Sequence, residues 1–169
     1  WEIQTQERLL QWSGYQSGSI HFDTRGERIL AINANGEPSL IDIWRQEAVY
    51  LDPVQFFCEN VMFSPDGTRI IASGPAGFSF LEMATGRILG GQIMEGSSGI
   101  IGVAISPDGL RLANITRNSV HVFSLQNGQH IESYAHKTHG TTGAAVWSEK
   151  GVLLGGADGL LHHKGSGDG

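Results

Sequence analysis

Short runs of alternating apolar and polar residues, separated by polar turns, cover most of this chain. The clearest stretch predicts four consecutive strands, at residues 102–105, 111–115, 119–124 and 129–134. Alternation over roughly four to eight residues is the sequence signature of a β-strand with one buried face. No window shows a convincing period of about 3.6 residues, so we expect little helix and an all-β fold.

The first turn of each unit has a fixed sequence. Ser64-Pro65-Asp66-Gly67 recurs as Ser106-Pro107-Asp108-Gly109, and a degenerate copy ends at Gly151. Successive glycines of these three turns are 42 residues apart. Asp-Gly supplies the positive φ of a tight hairpin, and proline fixes φ at the first turn position. We therefore interpret Asp66 and Asp108 as turn residues that bond nearby amides, rather than as a catalytic carboxylate pair.

A second marker keeps the same period, because Met83-Ala84-Thr85-Gly86 is followed 42 residues later by Leu125-Gln126-Asn127-Gly128. A unit of this size cannot bury its own apolar face, so it must stack on its neighbours. Four antiparallel strands in about 40 to 45 residues are typical of one β-propeller blade. The repeats fall at about residues 11–52, 53–94, 95–136, and 137–169 together with 1–10. The chain thus holds about four blades' worth, with three complete and one split between the termini.

On these motifs the chain resembles the WD-repeat β-propeller family. The resemblance is carried by residues 63–72 and 105–113, and by strand ends such as Ile43-Trp44 and Val122-Phe123. The family's Gly-His is replaced by Glu95-Gly96 in one unit and survives loosely as His136 or His139 in another. The family's Trp-Asp ending here reads Trp1-Glu2, Trp44-Arg45, Leu81-Glu82 and Phe123-Ser124. We therefore expect packing, rather than the family's side-chain network, to hold the blades, with Trp44, Phe63, Phe80, Phe123 and Trp147 in the core.

WD-repeat rings usually have about seven blades, so the resemblance implies that this chain belongs to a longer polypeptide. The alternative is a closed four-bladed ring, in which residues 1–10 complete the sheet begun by residues 145–163. An open arc would expose strand edges and apolar faces that the remaining blades or a partner must cover.

Composition narrows the range of partners. The 169 residues carry a net charge of −6 with Lys and Arg scattered singly, so we expect no nucleic-acid and no membrane partner. Cys58 is the single cysteine, which we interpret as a buried, inert thiol with no sign of an oxidising compartment. No apolar run approaches the ~20 residues of a membrane helix, and we expect a cytoplasmic protein.

Motifs of catalysis are absent from the sequence: it has no phosphate-binding glycine loop, no nucleophile elbow and no His-Glu-x-x-His. Histidines are dense in the last third, where the candidate ligands are His121, His130, His136, His139, His162 and His163. Spacing alone does not show convergence on one ion, so we expect no metal, no cofactor and no enzymatic activity.

The resemblance implies a protein-interaction scaffold. In a propeller, the loops between blades and between the second and third strands gather on one face, here residues 12–18, 34–39, 50–57, 74–77, 94–98 and 134–142. Aromatic residues, Met and His in these loops are the candidates to bind a protein or peptide partner, or the remaining blades of a longer chain. They are Trp12, Tyr15, Tyr50, Phe56, Met94, Tyr134, His136 and His139, and Phe57 lies in the same loops. The alternative is a carbohydrate-binding lectin, but the unequal loop lengths disfavour it because a lectin repeats its site in each blade.

Overall fold

The computed structural model describes Gly14 and residues 20–94, 99–136, 141–148, 151–156 and 161–164. Fifteen strands are found there, and no helix lies within those ranges. The strands are β1 (His21–Phe22), β2 (Arg28–Ile32), β3 (Pro38–Asp42), β4 (Glu47–Val49), β5 (Asn60–Phe63), β6 (Arg69–Gly74), β7 (Gly77–Glu82), β8 (Ile88–Ile93), β9 (Gly102–Ile105), β10 (Arg111–Ile115), β11 (Ser119–Ser124), β12 (His130–Ala135), β13 (Thr141–Ser148), β14 (Gly151–Gly156) and β15 (Leu161–Lys164).

The strands form four antiparallel sheets in which each strand pairs with the next in sequence. Blade 1 is β1–β4, blade 2 is β5–β8, blade 3 is β9–β12, and blade 4 is β13–β15 in the part that the structure describes. The predicted all-β, four-stranded units are confirmed, and three of the four strands predicted for blade 3 have the observed bounds. The pairing of residues 1–10 with blade 4 lies outside the described residues.

The first turn of blades 1, 2 and 3 has one hydrogen-bond pattern. The first residue of each turn, Asp23, Ser64 or Ser106, donates its N–H to the carbonyl five residues on, at 3.0 Å in each case. Asp66 Oδ1 accepts from Ser64 Oγ at 2.5 Å and from the Thr68 N–H at 3.0 Å. Asp108 makes the equivalent bonds to Ser106 and Leu110. The turn interpretation of both acids is confirmed.

These turns predict a loss of stability in acid. Hydrogen bonds from Ser64 and then Thr68 lower the pKa of Asp66 from its ordinary 3.8, and Ser106 and then Leu110 lower the pKa of Asp108 likewise. A lowered folded-state pKa stabilises the fold above the unfolded-state value, and that contribution is lost as the pH falls through the folded-state pKa. As the pH is lowered below about 4, we expect the urea concentration at the unfolding midpoint of the wild type to decrease. The midpoint of an Asp66→Asn/Asp108→Asn variant should decrease less. A constant offset between the two proteins from pH 7 to pH 2.5 would contradict this linkage.

The turn between the third and fourth strands corrects the placement of Trp44. Arg28 pairs with Asp42 as Arg69 pairs with Glu82, so the third strand of blade 1 ends at Ile41-Asp42. Asp42 Oδ1 then accepts the N–H groups of Trp44 and Arg45, at 3.0 and 2.9 Å, and starts a turn. Trp44 is therefore 77% exposed in that turn, and its prediction as a core strand residue was wrong. The other four predicted core aromatics are buried or half-buried in the clusters between blades.

The same turn contains Gln46, which has φ 58° and is the one non-glycine with positive φ among the described residues. It donates its N–H to Asp42 O, as Gly86 donates to Glu82 O and Gly128 to Ser124 O. Gln46 thus occupies a left-handed position that glycine fills in the other two blades.

Three apolar clusters fill the spaces between adjacent blades. Leu30 and Leu40 of blade 1 pack with Ile70 and Leu81 of blade 2. Between blades 2 and 3, the Phe78 and Phe123 rings lie 4.8 Å apart, centroid to centroid. The third cluster, between blades 3 and 4, is formed by Ala113, Val122, Val152 and their neighbours. Because each inner blade packs on both sides, its second and third strands are buried on both faces, which explains their nearly continuous apolar sequence.

Candidate functional site

The two ends of the strands define two edges of the array. The linker edge carries the turns between second and third strands, at residues 33–37, 75–76 and 116–118, and the segments that arrive from neighbouring blades. The Asp-Gly edge, at the opposite ends of the strands, carries the Ser-Pro-Asp-Gly turns and the turns between third and fourth strands.

Phe57 is the most exposed aromatic of the described linker edge. Its neighbour Cys58 is fully buried and donates its N–H to Gly36 O at 2.8 Å, and the next N–H, of Glu59, donates to Ser73 O at 2.9 Å. The Phe57 ring lies against Gly36, and its carbonyl lies against Gly74, so that neither glycine has room for a Cβ. Phe57 is nevertheless 52% exposed. A large apolar side chain is thus held at the surface by a backbone tied to both blades.

Cys58 is a buried thiol of low reactivity, as the sequence predicted. Burial, and then the charge of Glu37, raises the pKa of its thiol to about 12. A thiol with this pKa is almost entirely protonated at neutral pH and is a poor nucleophile.

The turn of blade 1 next to Phe57 is closed by hydrogen bonds of its own. Asn33 Oδ1 accepts the N–H groups of Asn35 and Glu37, at 2.9 and 3.0 Å. Asn33 Nδ2 donates in return to Glu37 Oε2 at 2.9 Å. The loop that is longer than its counterparts is therefore a compact, self-bonded turn rather than a loose insertion.

Tyr50 lies elsewhere than its loop assignment predicted. Its carbonyl packs against Gly86, in a turn of the Asp-Gly edge of blade 2. Asp52 fixes the crossing there, since its N–H donates to Gly86 O at 2.8 Å and its Oδ2 accepts the Ile88 N–H at 2.9 Å. The fourth strand of blade 1 ends early, at Val49, so the chain leaves the sheet before it reaches the linker edge. Tyr50 is 68% exposed there, and its assignment to the linker edge is corrected.

Four other predicted binding residues hold linkers to blades. Phe56 and Met94 are half-buried against the first and second clusters, and the Met94 N–H donates to Ala76 O at 2.8 Å. Tyr134 is half-buried against the third cluster, where burial, followed by the charge of Glu132, raises its pKa to about 12. His136 Nε2 lies 3.0 Å from Thr116 O, in the turn between the second and third strands of blade 3. Trp12, Tyr15 and His139 lie outside the described residues.

The side chains of His139, His162 and His163 lie outside the part that the structure describes, and of the other three candidate ligands it brings two together. His121 and His130 have ring centroids 6.2 Å apart, while His136 is bonded to a turn carbonyl. Within the described ranges, no group of three or more His, Cys, Asp and Glu side chains is arranged to hold a metal ion. No helix in those ranges has the length and apolar character needed to span a membrane.

A polar layer between blades 2 and 3 was not predicted. Ser73 and Asn114 are fully buried, and the Ser73 hydroxyl and both amide atoms of Asn114 have no hydrogen-bond partner among the described residues. Asn114-Ile115-Thr116 fits the N-glycosylation pattern, but Asn114 is buried in β10 and is inaccessible to that modification in the folded chain. From the sequence alone, a polar residue in the middle of a strand cannot be assigned to the face that packs on one neighbouring blade or the other.

Two solved structures share this arrangement of strands. The β-propeller domain of Cps50 (Swd1) from Myceliophteria thermophila aligns with a TM-score of 0.72 and 12% identity, over 86% of this chain and 49% of that chain. Hydrazine synthase from Kuenenia stuttgartiensis aligns with a TM-score of 0.64 and 21% identity, over 80% of this chain and 43% of that chain. No family model and no curated protein matches the sequence. The chain has the β-propeller fold, and it spans less than half the length of either structure.

Proposed function

We propose that this chain is a WD-repeat-like propeller segment that acts as a non-enzymatic, cytoplasmic scaffold and binds a protein or peptide through its linker edge. The observation that carries the proposal is Phe57, a half-exposed aromatic side chain packed between Gly36 of blade 1 and Gly74 of blade 2. Energetic centres of protein interfaces are enriched in aromatic residues, and a pre-ordered side chain loses little entropy on binding.

The surroundings of Phe57 support a peptide partner. Gln55 and Glu59 are exposed on either side of the Phe57–Cys58 pair, and the Asn33–Glu37 turn adds further polar groups. An apolar centre with a polar rim is the usual composition of a protein interface. The net charge of −6 disfavours nucleic acid and anionic membrane as partners.

The test is selection of a displayed random-peptide library on the folded chain, followed by affinity measurements on synthetic copies of the selected peptides. We expect Phe57→Ala to weaken binding at least tenfold, since loss of an interface anchor costs about 2 kcal/mol or more. Trp44→Ala is the control, because Trp44 is exposed at the Asp-Gly edge and its loss should leave the affinity unchanged.

Equal affinity of wild type and Phe57→Ala would contradict the linker-edge proposal, with circular dichroism used to verify that both proteins are folded under the conditions of the measurement. Weakening by Trp44→Ala alone would move the interface to the Asp-Gly edge. Failure to select any peptide, together with binding on a glycan array, would favour the lectin alternative.

A further inference from the structure

Three side chains on the outer half of blade 3 converge on one point. His121 Nδ1 lies 2.7 Å from Ser133 Oγ, and His130 Nε2 lies 2.6 Å from the same oxygen. His121 is half-buried, whereas His130 and Ser133 are exposed. Two imidazole nitrogens on neighbouring strands therefore point toward one position that solvent can reach.

The pairing of β11 with β12 produces this convergence. His121 stands directly opposite Ser133, and His130 stands opposite Phe123 across a register shift between Val122 and Phe123. The shift leaves Ile131 out of the pairing and places His130 on the same face as Ser133. The His130 ring lies edge-on to Phe123, with centroids 5.3 Å apart and an interplanar angle of 75°. His130 thus contacts a buried side chain of the core, although it is itself exposed.

The separation of the two rings fits a shared ion. Each imidazole nitrogen lies about 2.0–2.1 Å from a bound transition metal, which places the two ring centroids roughly 5 to 6.5 Å apart. The observed separation is 6.2 Å. Both nitrogens already contact Ser133 Oγ, so an ion bound beside that oxygen, rather than in its place, draws the two rings slightly together. We propose that His121 and His130 form a binding site for one divalent transition-metal ion, with solvent or the Ser133 hydroxyl completing its coordination.

The electrostatics of His121 favour such a ligand. Burial, and then the neighbouring His130, lowers the pKa of His121, which favours its neutral form. A neutral imidazole can present the Nδ1 lone pair to a cation, and its Nε2 then carries the proton.

Asn114 is a polar neighbour of His121, whose Nε2 carries the proton when Nδ1 binds a cation. It stands directly opposite His121 in the β10–β11 pairing, so both side chains lie on the face of blade 3 that is turned toward blade 2. Its amide oxygen is buried without a partner among the described residues. A histidine that ligates a metal almost always donates its other N–H to a carbonyl, a carboxylate or a water. The Asn114 amide, which has no partner among the described residues, therefore lies beside His121, where a bridging water would connect it to the second imidazole nitrogen.

Imidazole ligands suit copper, nickel and zinc, and divalent copper binds most tightly in the general order of affinities. The test is therefore titration of the folded chain with Cu²⁺, followed by calorimetry and electron paramagnetic resonance. All variants are made in a His139→Ala/His162→Ala/His163→Ala background, which removes the other histidines of the last third except His136. His121→Ala, His130→Ala and the double variant form a cycle, and His21→Ala, on β1 of blade 1, is the control.

We expect one Cu²⁺ per chain with two nitrogens in its coordination sphere. Each single variant should weaken binding at least tenfold, and the double variant should lose little more than either single, because both ligands hold the same ion. His21→Ala should bind as the background does. Unchanged binding in either single variant, losses that multiply in the double variant, or a spectrum with one nitrogen would each overturn the site. If an alanine variant does not fold, the corresponding His→Gln variant, which retains a polar side chain of similar reach, decides by the same criteria.

Discussion

Phe78→Ala is expected to lower the free energy of unfolding by about 3–5 kcal/mol, the typical cost of removing a buried phenylalanine ring from a core. Phe78 has 0% exposure and packs on Phe123 across the space between blades 2 and 3. Urea unfolding followed by circular dichroism measures the loss. Phe57→Ala is the control, because half of that ring is already in water and its removal should cost less than about 1.5 kcal/mol.

A double-mutant cycle separates the interaction energy between Phe78 and Phe123 from the cost of removing each buried ring. The Phe78→Ala/Phe123→Ala variant should be about 0.5–1.5 kcal/mol more stable than the sum of the single losses predicts, since the two rings contact each other. Strict additivity of the two losses would show that blades 2 and 3 are not coupled through this pair.

Gly86→Ala is expected to destabilise the chain by about 3–4 kcal/mol, through left-handed strain and the loss of two hydrogen bonds. Gly86 has φ +73°, and an added Cβ would strike the Tyr50 carbonyl. The linker would then have to move, which breaks the bonds that Asp52 makes to Gly86 and Ile88. The free energy of unfolding and amide exchange at Ile88 report the two parts of this effect.

Gly128 provides a closely matched control for Gly86. It occupies the same position in the same turn of blade 3 and also has φ +73°, but the nearest atom to an added Cβ, Gly91 N, is 3.5 Å away. Gly128→Ala should therefore cost only the backbone strain, about 1–2 kcal/mol. Equal losses for the two variants would mean that the linker crossing at Tyr50 adds nothing to stability.

The candidate sites were only partly predictable, for reasons that particular residues make clear. The lengths of β4 and of the linker decide where Tyr50 lies, and both depend on Asp52 finding a turn in the next blade. Trp44 was misplaced because the end of β3 is fixed by its pairing with β2 and by the Asp42 side chain, not by the aromatic residue that follows. His121 and His130 were both recognised as potential ligands, but the bulge that turns them to one face is a property of the paired strands.

The sequence by itself determined the strands, the turns and the repeat, because alternation and Ser-Pro-Asp-Gly chemistry act over a few neighbouring residues. It also determined that Cys58 is buried and that Asp66 and Asp108 serve turns. Only the tertiary structure decided which blade each strand faces, where the linkers cross, and which side chains meet. Those outcomes depend on contacts such as Phe78 with Phe123, between residues 45 positions apart, and local sequence carries no record of such pairs.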